Sequence, residues 1–455
     1  MKSFTRSLSL LALLGILFVG CQQPQPETGP ILSKVEHPEW SKNANIYEVN
    51  IRQYSPEGTF NAFREDLPRL KDMGVKILWL MPIQPIGELN RKGTLGSYYS
   101  IKDYKGINPE FGTEEDFRAL VDEAHEMGFK VIIDWVANHS SWDNAWTENK
   151  DWYTLDEEGN FQPPVDDWSD VIDLNYGNED MRAAMIDALV YWVREFDIDG
   201  YRCDVAGMVP MDFWVDAIAE LDKVKDVFML AEDGEPELLI EVFDMNYAWQ
   251  YAHIIREIAK GEQTFEDLDA LFAEDAERFP SNGYRMYFTS NHDENSWNGT
   301  DPGMYGANFE NFAVLSATVA GMPLIYNGQE SILDKQLEFF EKDEIEWKEY
   351  AYEDFYRFLL QLNTENEALW NGSYGGDFTR IESPANTFAF TRKKDEHQVI
   401  VAINNSEEPQ QISVPVWSSS VYAKYGVTEG EFNSEGANTY DLELPPNKWF
   451  ILATK

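Results

Sequence analysis

The sequence has few of the residues on which several classes of protein depend. It contains two cysteines and six histidines in 455 residues, which excludes small disulfide scaffolds and zinc clusters. Basic residues are outnumbered, with 36 Lys and Arg against 81 Asp and Glu, and the formal net charge is -45. Phosphate backbones and anionic headgroups are bound through clustered Lys and Arg, so this charge repels both. Nucleic acid is therefore not an expected partner.

Length and hydrophobic content predict a folded protein with more than one domain. Hydrophobic residues make up 43% of the chain and charged residues 26%. The acidity therefore lies on a folded surface rather than in a disordered acidic segment. At roughly 100–200 residues per domain, the chain divides into two or three domains with enough apolar material for a large core.

The beginning of the chain has the features of an export signal. Basic residues precede an apolar run over 8–19, which is shorter than the roughly 20 residues that a membrane-spanning helix needs. A glycine, Cys21 and a polar, Pro-rich stretch follow. Residues 1–20 are therefore predicted to be a signal peptide and residues 21–44 a tether.

The small residue before Cys21 and the tether after it resemble a bacterial lipoprotein signal, although Phe18 stands where that motif usually has Leu. The resemblance implies an exported lipoprotein with Cys21 as the lipidated first residue of the mature chain. Its membrane partner would be the outer membrane, the cell surface or the periplasmic leaflet. The alternative is an ordinary cleaved signal with an incidental cysteine.

Residues 45–370 alternate short apolar runs with amphipathic stretches of helical length, a pattern typical of strands that are each followed by a helix. The apolar runs are 46–49, 77–80, 130–133, 198–201, 227–230, 241–243, 284–288 and 322–325. Eight such units favour an α/β fold of the (β/α)8 TIM-barrel type. A doubly wound open sheet would show the same alternation and is the alternative.

Two regions depart from this alternation. Residues 140–177, after the third predicted strand, are far longer than the roughly two to six residues of most strand-to-helix connections. They are rich in tryptophan and predict a small inserted subdomain. From residue 371 the apolar pattern changes to a period of two with turn residues between the runs, which predicts a C-terminal antiparallel β-sandwich over 371–455.

Acidic and polar side chains follow several of the predicted strands, where a parallel barrel carries its reactive groups. They are Asp134, Asn138, His139, Arg202, Asp204, Glu232, Asp233, Asn291, His292 and Asp293. Like charges around one centre raise one another's pKa, so one carboxyl can stay protonated while another is ionised. Glycoside hydrolysis with retention uses two carboxyls in this way, roughly 5–5.5 Å apart. The sequence has no Gly-rich phosphate loop, HExxH pair or Gly-x-Ser-x-Gly elbow that would indicate other chemistry.

Four ordered segments resemble the signature regions of glycoside hydrolase family 13, the α-amylase family. They read DWVANH over 134–139, GYRCD over 200–204, LAE over 230–232 and FTSNHD over 288–293. Residues 171–175, VIDLN, and 98–104, YYSIKDY, resemble two further family motifs. Each motif alone is weak, but their order and spacing extend over nearly the whole predicted mature chain.

The resemblance implies a role for three acids. Asp204 would be the nucleophile, and Glu232 would protonate the leaving oxygen and then activate water. Asp293 would bind sugar hydroxyls and distort the ring toward the transition state. Asp233 and Glu235 are nearby rivals of Glu232.

It also implies four substrate-binding residues. Arg202 would hold Asp204 ionised, since residues two apart on a strand share a face. Tyr99 would stack beneath the sugar that is cleaved, and His139 and His292 would donate to its hydroxyls. The alternatives are a structural ion pair for Arg202 and core packing for Tyr99 and the histidines. The tryptophans of 140–177 and Trp297 are candidates for sugar stacking, or for a subdomain core.

Asn138 and Asp173 match positions that bind a structural calcium in many members of the family. Calcium takes roughly six to eight oxygen ligands, and only these two side chains can be named. The alternative is that they hydrogen-bond the long loop to the barrel. No organic cofactor is expected.

The segment after the nucleophile departs from the family pattern. Residues 205–208 read VAGM, where starch-cleaving α-amylases usually carry Lys-His. The predicted function is retaining hydrolysis of α-1,4-glucosidic bonds in starch, maltodextrins or maltooligosaccharides. A transglycosylase or an exo-acting α-glucosidase of the same family is the first alternative. A non-catalytic surface glycan-binding lipoprotein and a barrel enzyme acting on another class of substrate are the others.

Overall fold

The computed structural model describes residues 29–455. The predicted signal peptide and Cys21 lie outside the described residues. Within 29–455, no helix combines the length and the apolar character that crossing a bilayer requires.

Eight parallel strands close into a barrel. They are β1 (Ile46–Val49), β2 (Ile77–Leu80), β3 (Lys130–Trp135), β4 (Gly200–Cys203), β5 (Phe228–Ala231), β6 (Met245–Tyr247), β7 (Tyr284–Tyr287) and β8 (Met322–Tyr326). Strand β1 pairs with β8, with Ile46 opposite Leu324. This pairing closes the sheet, so the TIM-barrel prediction is confirmed and the open-sheet alternative is wrong.

The predicted position of the sixth strand is wrong. Val242 and Phe243 are buried, but they follow a short helix that ends at Glu241, and β6 begins only at Met245. The middle residue of β6 is the buried Asn246, which accepts a 2.6 Å hydrogen bond from Arg285 on β7. Because the central residue of β6 is polar and hydrogen-bonds to the neighbouring strand, β6 has no continuous apolar run, and the apolar pattern did not predict it.

Helices alternate with the barrel strands. They are α1 (Ile51–Tyr54), α2 (Phe60–Arg64), α3 (Leu67–Met73), α4 (Glu114–Met127), α5 (Glu179–Phe196), α6 (Met211–Leu221), α7 (Pro236–Glu241), α8 (Trp249–Lys260), α9 (Phe265–Arg278), α10 (Asp301–Tyr305), α11 (Phe309–Thr318) and α12 (Glu353–Glu365). Helix α4 is preceded by Thr113, which forms a capping box with Asp116, and is followed by Gly128, whose φ of 91° suits glycine. Its apolar face, including Phe117 and Leu120, is buried against the barrel core.

The residues between β3 and α5 form the inserted subdomain. Two short strands, His139–Ser141 and Val171–Asp173, pair in antiparallel fashion with His139 opposite Asp173. Trp146 packs on Trp152 at 5.4 Å between ring centroids and on Tyr104 at 4.6 Å. These rings are packed against the core of the molecule.

The C-terminal part is antiparallel, as predicted. Its strands are β9 (Asp377–Ile381), β10 (Thr387–Lys394), β11 (His397–Asn404), β12 (Gln410–Pro415), β13 (Val421–Gly426), β14 (Gly430–Asn433), β15 (Thr439–Leu444) and β16 (Lys448–Thr454). Six of them form one sheet, and β12 and β15 form a second that shares an apolar core with it. Arg392 of β10 donates a 2.7 Å hydrogen bond to the carbonyl of Val319, which follows α11, and thereby joins this part to the barrel.

Candidate active site

The C-terminal ends of the barrel strands surround a cavity of about 470 Å³. Six of the seven side chains predicted for catalysis and substrate binding line it: Tyr99, His139, Asp204, Glu232, His292 and Asp293. The seventh, Arg202, lies buried beneath it on β4. Loops after five different strands therefore bring the predicted residues to one place.

Arg202 is the centre of the cavity floor. Its Nη1 donates hydrogen bonds to Asp134 Oδ1 at 2.9 Å and to Asp204 Oδ1 at 3.0 Å. Its Nη2 lies 3.0 Å from Glu232 Oε2, and its Nε donates to the hydroxyl of Tyr247 at 3.0 Å. The guanidinium thus contacts both acids expected to act on the glycosidic bond.

The surroundings of Asp204 and Glu232 raise the pKa of both carboxyls. Burial raises the pKa of Asp204, and the neighbouring Glu232 adds to the rise. Burial also raises the pKa of Glu232, with a further rise from Asp293. Two buried carboxyls beside one guanidinium keep a proton between them more readily than two separated ones.

Hydrogen bonds to the two carboxyls act against burial. Arg202 donates an aligned hydrogen bond to Asp204, whereas its Nη2 lies beside Glu232 without an aligned one. The N–H of Val205 donates to Glu232 Oε2 at 2.8 Å. Each carboxyl therefore accepts a hydrogen bond that favours its charged form and opposes the effect of burial on its pKa.

His292 is buried, yet its neighbours favour its charged form, whereas burial by itself favours the neutral form of a histidine. Its Nδ1 contacts Glu48 of β1, and its Nε2 lies 2.7 Å from the Tyr99 hydroxyl and 3.4 Å from Asp293 Oδ2. Burial lowers its pKa, but Asp293 and Glu48 outweigh burial and raise the pKa of His292 to about 9. Both ring nitrogens of the charged His292 then donate hydrogen bonds. The Tyr99 hydroxyl accepts from Nε2 and donates its own hydrogen bond to Asp134 Oδ2 at 3.1 Å.

Glu48 was not among the predicted site residues. The signal that could have found it is an acidic residue inside an otherwise apolar strand, since a buried carboxylate is costly unless it is paired.

His139 is buried at the cavity lining, and within residues 29–455 no carboxylate lies in hydrogen-bonding contact with its ring. Burial lowers its pKa to about 3, so it is neutral at neutral pH. Its Nε2 lies 3.9 Å from Asp204 Oδ2, the oxygen that Arg202 leaves free. The two histidines of the site therefore carry different charges.

Aromatic side chains form the upper walls. Trp168 of the inserted subdomain and Trp297 of the β7 loop both line the cavity, and Trp297 is 59% exposed. Phe339 and Phe340, from the loop after β8, complete the wall and were not predicted. Trp142 is not a lining residue and packs in an edge arrangement on another ring of the subdomain.

Comparison with known proteins agrees with this geometry. The family model described as the catalytic domain of α-amylase matches residues 36–357. The chain belongs to the α-amylase family. A second model, the C-terminal domain of maltogenic amylase, matches residues 378–451. The protein is accordingly a glycoside hydrolase.

Two solved structures of the family are similar over nearly their whole length. An α-amylase from Lactobacillus plantarum is 33% identical with a TM-score of 0.80, covering 91% of this chain and 99% of its own. The noncanonic maltogenic α-amylase AmyB from Thermotoga neapolitana is 30% identical with a TM-score of 0.81 and the same coverage. α-Amylase MalA from Haloarcula japonica is 26% identical over 400 residues, which are 83% of this chain but 58% of that protein.

Asn138 and Asp173, the two residues predicted to bind calcium in this α-amylase-family chain, have few potential metal ligands around them. Among residues 29–455, no group of three or more His, Cys, Asp and Glu side chains is arranged to hold a metal ion. The Asn138 amide lies 3.2 Å from His139 Nδ1, and burial raises the pKa of Asp173, which disfavours its charged form. Two side chains fall short of the oxygen set that calcium prefers, so calcium stays a prediction and carries no step of the mechanism.

Proposed function

We propose that this chain hydrolyses α-1,4-glucosidic bonds in maltooligosaccharides and starch-like glucans with retention of the anomeric configuration. The observation that supports it most directly is the position of Arg202 between Asp204 and Glu232 on the cavity floor. Both acids line the cavity, so a single glycosidic bond can reach them together.

In the first step, Asp204 Oδ2 bonds to the anomeric carbon while the glycosidic bond breaks. The leaving oxygen takes the electron pair of that bond and the proton of Glu232. In the second step, the Glu232 carboxylate removes a proton from water, whose oxygen attacks the anomeric carbon and releases Asp204. Glu232 regains its proton, and the sugar leaves with its original configuration.

The surrounding residues would bind and distort the sugar that is attacked. Asp293, whose side chain is 35% exposed, is accessible to two hydroxyls of the ring. The charged His292 fixes that carboxylate and the Tyr99 hydroxyl at once. His139, neutral beside Asp204, is suited to donate to a third hydroxyl.

Val205, directly after the nucleophile, has φ 37° and ψ 47°, a strained conformation for a β-branched residue, and its N–H donates to Glu232.

The side chains that follow Val205 support action on short chains. Beyond it stand Gly207 and the 47% exposed Met208, which offer a leaving-group sugar no polar side chain. Loss of such donors weakens the binding of polar sugars on that side.

The proposal is tested by product analysis. Maltotriose, amylose, pullulan and cyclodextrin are incubated with the protein, and products are resolved over time with and without added glucose as acceptor. Proton NMR of the first product should detect the α-anomer. An initial β-anomer would contradict retention. Products longer than the substrate would favour transglycosylation, the alternative within the family.

We also propose that the protein is exported and anchored through a lipidated Cys21. The support is the sequence alone, namely the apolar run, the small residue before the cysteine and the polar tether. Mass spectrometry of the mature N-terminus tests it, with Cys21→Ser as the control. An unmodified terminus at another residue would contradict the anchor and leave the catalytic proposal unaffected.

A further inference from the structure

Glu48 is a carboxylate inside the first strand of the barrel, whose sequence is IYEV. Its side chain is fully buried, and a buried carboxylate is costly unless it is paired. Its partner is His292, whose Nδ1 contacts Glu48 Oε1. Glu48 is not among the residues that line the active-site cavity. Any effect of Glu48 on the reaction therefore passes through His292.

The polar atoms in contact with the His292 ring all accept hydrogen bonds. Glu48 faces Nδ1, and Asp293 Oδ2 lies 3.4 Å from Nε2. The Tyr99 hydroxyl, 2.7 Å from Nε2, donates its own hydrogen to Asp134, so its oxygen is left to accept. Both ring nitrogens must then carry a hydrogen, which is the case only in the charged imidazolium. The geometry of the contacts therefore requires the charged form.

The other charged groups near the ring do not alter this result. They come from three strands, from the end of β5 and from the loop of His292 itself, and they are Glu48, Asp134, Arg202, Glu232 and Asp293. Arg202 and burial lower the pKa of His292, but Asp293 and Glu48 outweigh them and raise it to about 9. Burial raises the pKa of Tyr99 well above its ordinary value, so this phenol stays neutral.

The two carboxylates in contact with His292 differ in exposure. The side chain of Glu48 is 0% exposed, whereas that of Asp293 is 35% exposed. Asp293 is the one that would turn its oxygens to sugar hydroxyls, and solvent screens its charge more than that of a buried group. Glu48 is therefore the partner that stays beside the ring whether or not a sugar is bound.

We propose that Glu48 is a positioning residue, which keeps His292 charged while the glycosyl-enzyme forms and so extends activity to alkaline pH. This inference rests on the proposed function. A neutral imidazole has a single N–H, which can face Glu48 or Tyr99 but not both. Once the ring is neutral with its N–H on Glu48, it no longer donates to the Tyr99 hydroxyl, and Asp293 loses its cationic neighbour. Formation of the glycosyl-enzyme should then slow.

The test follows fluoride release from α-maltosyl fluoride between neutral pH and about pH 10. For this substrate kcat/KM reports formation of the glycosyl-enzyme. Fluoride leaves without a proton from Glu232, so the ionisation of that acid does not set the alkaline limb of the profile. In the wild type, kcat/KM should fall only as the pH rises through about 9, where His292 loses its charge.

Two variants of Glu48 change the charge and its distance separately. Glu48→Gln keeps an oxygen that can accept from Nδ1 but removes the charge. Its alkaline limb should move about one pH unit or more to lower pH, which makes kcat/KM above pH 9 about tenfold lower than in the wild type. Glu48→Asp keeps the charge further from the ring, so its limb should lie between the two.

Asp244→Asn is the matched control. Asp244 is a buried carboxylate that also contacts a histidine, with Oδ1 2.7 Å from Nδ1 of His37, and it accepts from the N–H of Met229. It directly precedes β6, at the end of the barrel opposite the cavity. Its replacement should also lower thermal stability but should leave the alkaline limb at the wild-type pH.

An alkaline limb at the wild-type pH in the Glu48 variants would overturn the inference, and so would an equal shift in Asp244→Asn. If Glu48→Gln does not fold, Glu48→Asp alone decides, by the same criterion. Either negative result leaves hydrolysis itself intact. Failure of the wild type to release fluoride at any pH and to cleave maltotriose would instead overturn the proposed function and this inference with it.

Discussion

Arg202 donates a 3.0 Å hydrogen bond to Oδ1 of Asp204, two residues further along the chain. Both side chains point into the barrel because alternate residues of a strand share a face. The bond leaves Oδ2 of Asp204 free, 3.9 Å from Nε2 of His139, and both residues line the cavity. Asp134 accepts from the same nitrogen, so the buried guanidinium is compensated before substrate arrives, as buried charges require.

Replacement of either acid should abolish turnover by different routes. Asp204→Asn removes the nucleophile, so we expect loss of activity on every substrate. Glu232→Gln removes the proton donor, which contributes about 100- to 10,000-fold. α-Maltosyl fluoride needs no protonation of its leaving group, so Glu232→Gln, unlike Asp204→Asn, should still release fluoride in the first step. It should then accumulate the glycosyl-enzyme, because the base for the second step is gone. Kinetics with the fluoride and with maltotriose check this.

Asp233→Asn is the control for these two variants. Asp233 follows Glu232 but accepts from the N–H of Glu235 at 2.6 Å and does not line the cavity. Its replacement should change kcat less than about threefold, as for a residue outside the site. Inactivity of Asp233→Asn with a retained fold would contradict the assignment of Glu232 as the acid.

Replacement of Arg202 should affect both stability and pH dependence. Arg202→Met leaves Asp134 and Asp204 buried without their partner, which should lower the free energy of unfolding by about 3–5 kcal/mol. The pKa of Asp204 should rise, so the acidic limb of the kcat/KM profile should move to higher pH. Urea unfolding and a pH–rate profile measure the two effects. An unchanged acidic limb would show that Arg202 has only a structural role.

The two histidines of the site should titrate far apart. The pKa of His292 is raised to about 9, above the unfolded value, so its stabilising contribution is complete below the unfolded pKa of about 6.5 and is lost as pH rises through 9. The contribution is on the order of 3 kcal/mol. His139, with a pKa lowered to about 3, should stay neutral throughout this range.

NMR titration of histidine ring protons, with assignment by His139→Gln, measures both values. In Glu48→Gln, the pKa of His292 should fall toward its ordinary value because one of its two carboxylate partners is gone. The fall in thermal stability between neutral pH and pH 9 should then be smaller than in the wild type. Titration of His292 near its ordinary pKa in the wild type would exclude the charged form.

Trp297 should contribute to binding rather than to chemistry. Its ring lines the cavity, is largely exposed and packs on Phe339 at 5.5 Å between centroids. Trp297→Ala should raise KM about tenfold, with kcat and thermal stability little changed, because stacking is lost while the acids stay in place. Trp142→Ala, which removes a subdomain ring, should lower stability instead. A fall in kcat at constant KM would contradict this role for Trp297.

Most of the barrel could be predicted from local patterns in the chain, and the acids were named from ordered segments that resemble those of the family. Apolar runs mark a buried strand wherever its neighbours lie, and Arg202 and Asp204 share a face through the geometry of one strand. The pattern failed at β6, where the buried Asn246 depends on a partner on the next strand.

Contacts between distant parts of the chain were decided by the tertiary structure alone. Glu48 and His292 are 244 residues apart and meet because β1 closes the barrel beside β8. Lys92, on the loop after β2, lies 3.2 Å from Asp170 of the inserted subdomain only because these two segments fold beside the same cavity. Local periodicity determines which residues are buried and on which face. The packing of whole elements determines which buried groups meet, and so which histidine of the site is charged.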